Sequence, residues 1–168
     1  MGLYYAWEGI TRFSDGVATV NLFLNRSSAW MDVDSFLPYE GKVELSNKQA
    51  RVALARVPNW VEMGEIKAYV NGRAMRPARS GRYLVFDGLQ NGSTIRLEFP
   101  NPERTDRHTI ADQSYRITFR GSTVLDIQPK ADHRSGAIPL YQRSHYRAET
   151  APARKLRRFA AERVLPLQ

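Results

Sequence analysis

Apolar and polar residues alternate in short bursts through the middle of the chain, and pairs of turn-forming residues separate the bursts. The runs at 43–45, 52–57, 66–70, 83–86 and 95–99 are rich in β-branched, aromatic or alternating apolar side chains. Between them stand Asn71-Gly72, Ser80-Gly81, Asp87-Gly88 and Asn91-Gly92. Asn-Gly and Asp-Gly accept the positive φ angles of tight turns, so this block predicts five strands in an antiparallel meander. Before it, VATVNLFL at 17–24 predicts another strand, with Val20, Leu22 and Leu24 on one face and Phe23 on the other. Ser14-Asp15-Gly16 predicts the turn leading into it, and 25–39 predicts a connection.

After Pro102 the segment 103–113 is polar and predicts a loop. The runs at 115–120 and 123–127 flank Gly121-Ser122 and predict one more hairpin. Helical signals occur only near the ends. Leu3, Trp7 and Ile10 fall at helical spacing, in a stretch too short to be stable alone. From 150 to 164, Thr150 suits an N-cap, Pro152 suits the first turn, and Leu156, Phe159, Ala160 and Val164 share a face. The reading is an all-β chain: an antiparallel, jelly-roll-like β-sandwich with short helical pieces at the termini, a closed barrel being second choice. Three parts follow: an N-terminal segment at 1–16, the sandwich at 17–130, and a basic extension at 131–168.

Composition narrows the chemistry. A chain of 168 residues can bury its own core without metal or disulfide. It has no cysteine, so thiolate nucleophiles and cysteine-held metals are excluded from it, and redox compartment cannot be inferred. No apolar run approaches the roughly 20 residues that cross a bilayer, no secretory signal is visible, and nothing fixes a localisation. Five of the eight net positive charges lie between 141 and 168. Arg154, Arg157, Arg158 and Arg163 there suggest a basic docking surface. Arginines interleaved with Tyr141, Tyr146 and Phe159 also suit nucleic acid, but no RNP, KH or helix-turn-helix signature accompanies them, so specific nucleic-acid binding is not expected.

Candidate sites are sparse. His108, His133 and His145 stand far apart in sequence and read as surface residues, with no metal-binding spacing. Asp32 and Asp34 are two apart and could share a strand face, as paired carboxylates of a glycosidase must flank a substrate. Nothing nearby in sequence would raise one of their pKa values, so they read first as solvated acids. Trp7, Trp30 and Trp60 read first as core or interface residues. Trp30, Asp32, Asp34 and Trp60 are kept as candidate glycan contacts. No catalytic or metal-binding residue is assigned.

The order of segments is itself informative. VATVNLFLNR at 17–26, DVDSFLPYEGKV at 32–43, ARVPNWV at 55–61, YVNGR at 69–73 and RYLVFDGL at 82–89 occur in succession. IRLEFP at 95–100, FRGSTVLDI at 119–127 and PLYQR at 139–143 follow. Together they resemble the C-terminal part of the β-L-arabinofuranosidase-type glycoside hydrolases, six-hairpin (α/α)-barrel enzymes; the Arg-Val-Pro-Asn-Trp strand end and the Val-Asn-Gly turn are the most specific pieces. In that family the resemblance implies a barrel bearing a zinc-held cysteine nucleophile, a glutamate among the zinc ligands and a second glutamate as acid/base. A β-sandwich follows and supports the barrel. No such residue maps onto this chain, so no cofactor is expected in it and zinc only in the barrel. GLYYAWEGI at 2–10 is similar to the barrel's last helix. The resemblance thus implies a separated C-terminal accessory piece whose partner is an (α/α)-barrel catalytic domain, with plant-type glycans as possible ligands. An independent carbohydrate-binding module is the alternative. The N-terminal aromatics, without a barrel to cover them, predict a homodimer.

Overall fold

The computed structural model describes residues 2–130 and 144–152. A short helix, α1 (Gly2–Glu8), precedes thirteen strands: β1 (Thr11–Ser14), β2 (Val17–Val20), β3 (Met31–Ser35), β4 (Lys42–Asn47), β5 (Val52–Arg56), β6 (Lys67–Val70), β7 (Arg73–Met75), β8 (Ala78–Ser80), β9 (Tyr83–Phe86), β10 (Thr94–Glu98), β11 (Glu103–Ile110), β12 (Gln113–Arg120) and β13 (Thr123–Gln128). The protein is all-β. Two five-stranded sheets, β1-β2-β5-β9-β8 and β3-β4-β10-β6-β7, form the sandwich, and β11-β12-β13 make a third sheet.

Alternation in the sequence decides which face of each strand turns inward. In β4, Val43, Leu45 and Asn47 are buried while Lys42, Glu44 and Ser46 are partly exposed. Met31 and Val33 of β3, Leu84 and Phe86 of β9, and Ile95 and Leu97 of β10 follow the same rule. These side chains interdigitate with Ala53 and Ala55 in one continuous core. Each large one buried contributes about 1.5–3 kcal/mol. Backbone at 41 runs so close to Phe99 that a methyl carbon on Gly41 would stand 1.8 Å from its carbonyl oxygen, which leaves room only for glycine.

Several sequence expectations need correction. The central block is not a meander: β4 and β10 pair in one sheet, β5 and β9 in the other, so the chain crosses between sheets as it proceeds. One pair, β2 with β5, is parallel. The connection at 25–39 contains β3, and the polar segment 103–113 is mostly the strand β11. Having no apolar face, β11 gives no hydrophobic alternation to read; it is held by eight register pairs along β12, among them Thr105 beside Thr118 (3.0 Å) and Glu103 bonded to Arg120 (2.9 Å). The edge strands β7 and β8, exposed throughout, were invisible for the same reason.

The strand expected over 17–24 ends at Val20. Asn21 turns the chain away: its amide donates to the Gly9 carbonyl (2.9 Å) and its side-chain oxygen accepts from Tyr83 Oη (2.9 Å). Phe23 therefore rotates inward to stack on Phe99, while Leu22 and Leu24 face solvent. The N-terminal helix forms, but Trp7 is exposed and Ile10 is buried in the sandwich, so they do not share a face. Thr11–Ser14 pairs along β2, so the sheet begins within the segment 1–16.

The hairpin expected around Gly121-Ser122 is present as β12 and β13. Beyond it a short 3-10 helix, Ser144–Arg147, returns to the sandwich. Arg120 donates to the carbonyls of Tyr146 (3.1 Å) and Ala148 (3.2 Å), and the Tyr146 ring meets Tyr39 edge-on. From residue 153 on, the expected C-terminal helix and the basic surface of Arg154, Arg157, Arg158 and Arg163 lie outside the described residues.

Candidate functional site

Strand β1 is one outer strand of its sheet and β3 one outer strand of the other, and the segment 21–30 crosses from one sheet to the other. Here α1 is tied down. Arg26 donates from Nη1 to the Trp7 carbonyl, and its guanidinium lies 4.0 Å from the centroid of the Trp7 ring. A backbone pair between Arg26 and Val33 (2.7 and 3.0 Å) fixes the arginine's base. Burial lowers the guanidinium's pKa, opposed by the nearby Glu8 and Tyr4. Residues at i and i+3 share a helix face, so Tyr4 and Trp7 project to one side of α1 and Tyr5 and Glu8 to another. Tyr4, Tyr5 and Trp7 are 62%, 65% and 53% exposed.

Between the Tyr5–Glu8 side of α1 and strand β1 opens a cleft of about 910 Å³. Its walls carry Phe13 of β1 and Trp30, whose rings stack with centroids 5.7 Å apart and planes 13° from parallel. The stack forms because Phe13 points inward from an edge strand while Trp30 precedes the inward-pointing Met31. Trp30 is fixed through its backbone, its carbonyl accepting from Lys48 N (2.9 Å) and Gln49 N (3.2 Å).

Asp32 follows immediately on β3. Its carboxylate accepts from Lys48 Nζ (2.7 Å), Ser27 Oγ (2.5 Å) and the Ser28 amide (3.3 Å). Burial alone would raise its pKa and is the largest single influence, but the ammonium and hydroxyl donors together outweigh it and hold the carboxyl below its ordinary value. Asp34 shares the outward face of β3 and stands opposite Glu44. A carboxyl held ionised is unsuited to donating a proton to a leaving group.

Trp60 belongs to a different cluster. It packs on the core beneath Gly121, joining the third sheet to the sandwich. Trp30 thus lines the cleft, Asp32 two residues on does not, its carboxylate being taken by Lys48, Ser27 and Ser28, and Trp60 lies elsewhere. What the sequence did not single out is the partnership of Trp30 with Phe13, Arg26 and Tyr5, residues that meet only across strand and helix. The one available signal was the aromatic density of 4–7 and 13. Among the described residues there is no group of three or more His, Cys, Asp or Glu able to hold a metal ion, and no helix long and apolar enough to cross a membrane.

No family model matches the chain, and no curated protein matches it. Solved structures do. A GH127 β-L-arabinofuranosidase from Geobacillus stearothermophilus T6 superposes with a TM-score of 0.51 at 18% identity, over 70% of this chain and 21% of that one. A protein described as a glycoside hydrolase gives 0.53 at 17%, over 68% and 22%. A further GH127 β-arabinofuranosidase gives 0.54 at 15%, over 68% and 23%. The fold is thus similar to a part of these enzymes, and the chain spans between a fifth and a quarter of their length. The first and the third are arabinofuranosidases, like the family that the sequence motifs resemble.

Proposed function

We propose that the chain is a non-catalytic accessory β-sandwich of a β-L-arabinofuranosidase-like glycoside hydrolase, and that it supports a helical-barrel catalytic domain by packing α1 against it. The observation that carries this reading is the Tyr4–Trp7 face. Two large aromatic side chains are held out to solvent on a helix that Arg26 and Asn21 clamp to the sandwich. A seven-residue helix is not stable alone, and exposed aromatic area of this kind is characteristic of an interaction surface. The fold likeness supports a glycoside-hydrolase partner, since the similar structures are glycoside hydrolases several times longer than this chain. The chemistry agrees: the chain has no cysteine, and Asp32 is held ionised by Lys48.

The test begins with the DNA flanking the coding sequence. An adjoining frame for a cysteine-containing helical barrel is expected, and that barrel, co-expressed with the chain, should co-purify with it. The complex should hydrolyse aryl β-L-arabinofuranoside and the chain alone should not. A barrel that fails to bind the chain, or turnover by the chain alone, removes the accessory reading.

A further inference from the structure

We propose that the outward face of the β1-β2-β5-β9-β8 sheet is a docking surface for a pair of α-helices whose apolar stripes are edged with carboxylates. The two sheets of the sandwich differ in what they turn away from the core. On the outer side of β3-β4-β10-β6-β7, strand register lines up Asp34, Glu44, Arg96 and Tyr69, with Lys42, Glu98 and Lys67 in the next row. Both signs are mixed there, and Arg96 pairs with Glu98 (3.2 Å), as on a solvated face. On the first sheet, register lines up Arg12, Thr19, Leu54, Val85 and Ala78. The flanking rows set Val17 beside Val52 and Arg56 beside Tyr83. Leu54, Val85, Val17 and Val52 alternate with the fully buried Ala18, Ala53 and Ala55 and are left part-exposed. Strands that are apolar on both faces are the pattern of a sheet covered on both sides, and a contiguous apolar patch with a polar rim marks an interaction surface.

Dimensions, position and charge select the occupant. Five strands about 4.8 Å apart span about 19 Å, the width of two helices lying side by side. Helix α1 stands along one edge of the face, since the cleft beside it is walled by Tyr5 of α1 and by Arg12, Val17 and Thr19. Arg12 and Arg56 flank the apolar residues, are exposed, and have no ion-pair partner among the described residues. Carboxylates along the edge of a helix would supply that partner. Each similar solved structure also continues well beyond its matched part, which is between 21% and 23% of its chain. The identity of the helices as those of the catalytic barrel rests on the accessory reading; what is added is their seat, the sheet itself, with α1 at its margin.

The co-expressed barrel is the probe, and its affinity for variants of the intact chain is measured by calorimetry. Leu54→Glu puts a carboxylate in the middle of the covered face and should weaken the complex about a hundred-fold or more. Val85→Thr, nearly the same shape, should weaken it about ten-fold and keeps the test open if Leu54→Glu does not fold. Arg56→Glu should weaken it about ten-fold at low salt, with the difference shrinking as salt is raised. Thr94→Glu, on the outer face of the other sheet, should change nothing. Because these side chains point away from the core, the thermal midpoint of the isolated chain should stay level, which a merely structural role would not allow. Affinity unchanged by Leu54→Glu and Val85→Thr, with Trp7→Ser alone abolishing it, overturns this proposal and leaves the accessory reading standing. A barrel that does not bind the wild-type chain at all removes both. A dimer of the isolated chain that Leu54→Glu dissolves, with no effect on the barrel, makes a second copy the occupant and overturns the proposal as well.

Discussion

Gly121 lies directly on the indole of Trp60: a methyl carbon built at 121 would stand 2.8 Å from Cζ2 of that ring and 2.8 Å from Oδ1 of Asn101. This contact seats the β12–β13 hairpin on the sandwich. Asn101 extends the joint by donating to the Pro38 carbonyl (2.7 Å). With φ at +58°, position 121 also needs glycine for its backbone. Gly121→Ala should therefore cost about 2–4 kcal/mol, combining backbone strain with a collision against a packed ring. Gly72→Ala is the control. Its φ is +77° but nothing lies within 4 Å, so strain alone, about 1 kcal/mol, is expected. Urea unfolding of the two variants checks the difference, and equal losses would show that the Trp60 contact contributes nothing.

Lys48→Met should destabilise the fold by about 1 kcal/mol near neutrality, because Asp32 loses its ammonium partner and keeps its partial burial. The pH dependence has a definite sign. Asp32 titrates below its ordinary value when folded, so its contribution is present above the unfolded carboxylate range and is lost as pH falls through the lower folded value. The gap between wild type and Lys48→Met should thus be widest near pH 7 and narrow below about pH 4. Denaturation at a series of pH values measures it; a gap that widens in acid contradicts the clamp.

Arg26→Met should release α1 without unfolding the sandwich. The helix loses the hydrogen bond to the Trp7 carbonyl and the cation–π contact together, while the ties just beyond it, from Asn21 to the Gly9 and Ile10 carbonyls, remain. Hydrogen exchange at residues 5–10 should accelerate about ten-fold or more, with β4, β5 and β10 unchanged. Uniform acceleration through the core would mean that Arg26 supports the whole domain.

In isolation the chain should self-associate through α1. Tyr4 and Trp7 leave aromatic surface uncovered, and a symmetric pairing would bury it. Ile10, already inside the sandwich, takes no part. Sedimentation should show a concentration-dependent dimer that Trp7→Ser weakens. A monomer at every concentration argues that the face is too small to hold two copies.

In β4, β9 and β10, which bury one face each, the sequence by itself determined that face. Val43 and Leu45, Leu84 and Phe86, and Ile95 and Leu97 alternate with polar residues, and the turns at Asn71-Gly72 and around Gly121 follow from the positive φ that glycine accepts. The all-β class was legible on these grounds, and the likeness to glycoside-hydrolase sandwiches in the order of the quoted motifs. Which sheet each strand joined was not. Alternation says that Val43 points inward but not whether β4 pairs with β5 or with β10, since that depends on the closure of the whole core. Strand β11 was hidden because its stability lies in pairing with β12, which leaves no apolar period. The cleft was hidden for a related reason: Tyr5, Phe13, Arg26 and Trp30 are separated along the chain, and only the return of β1 beside β2, with the crossing at 21–30, brings their side chains to one opening. Periodicity encodes a residue's local direction, whereas a site is a coincidence of directions from distant segments, and that coincidence is fixed by tertiary packing.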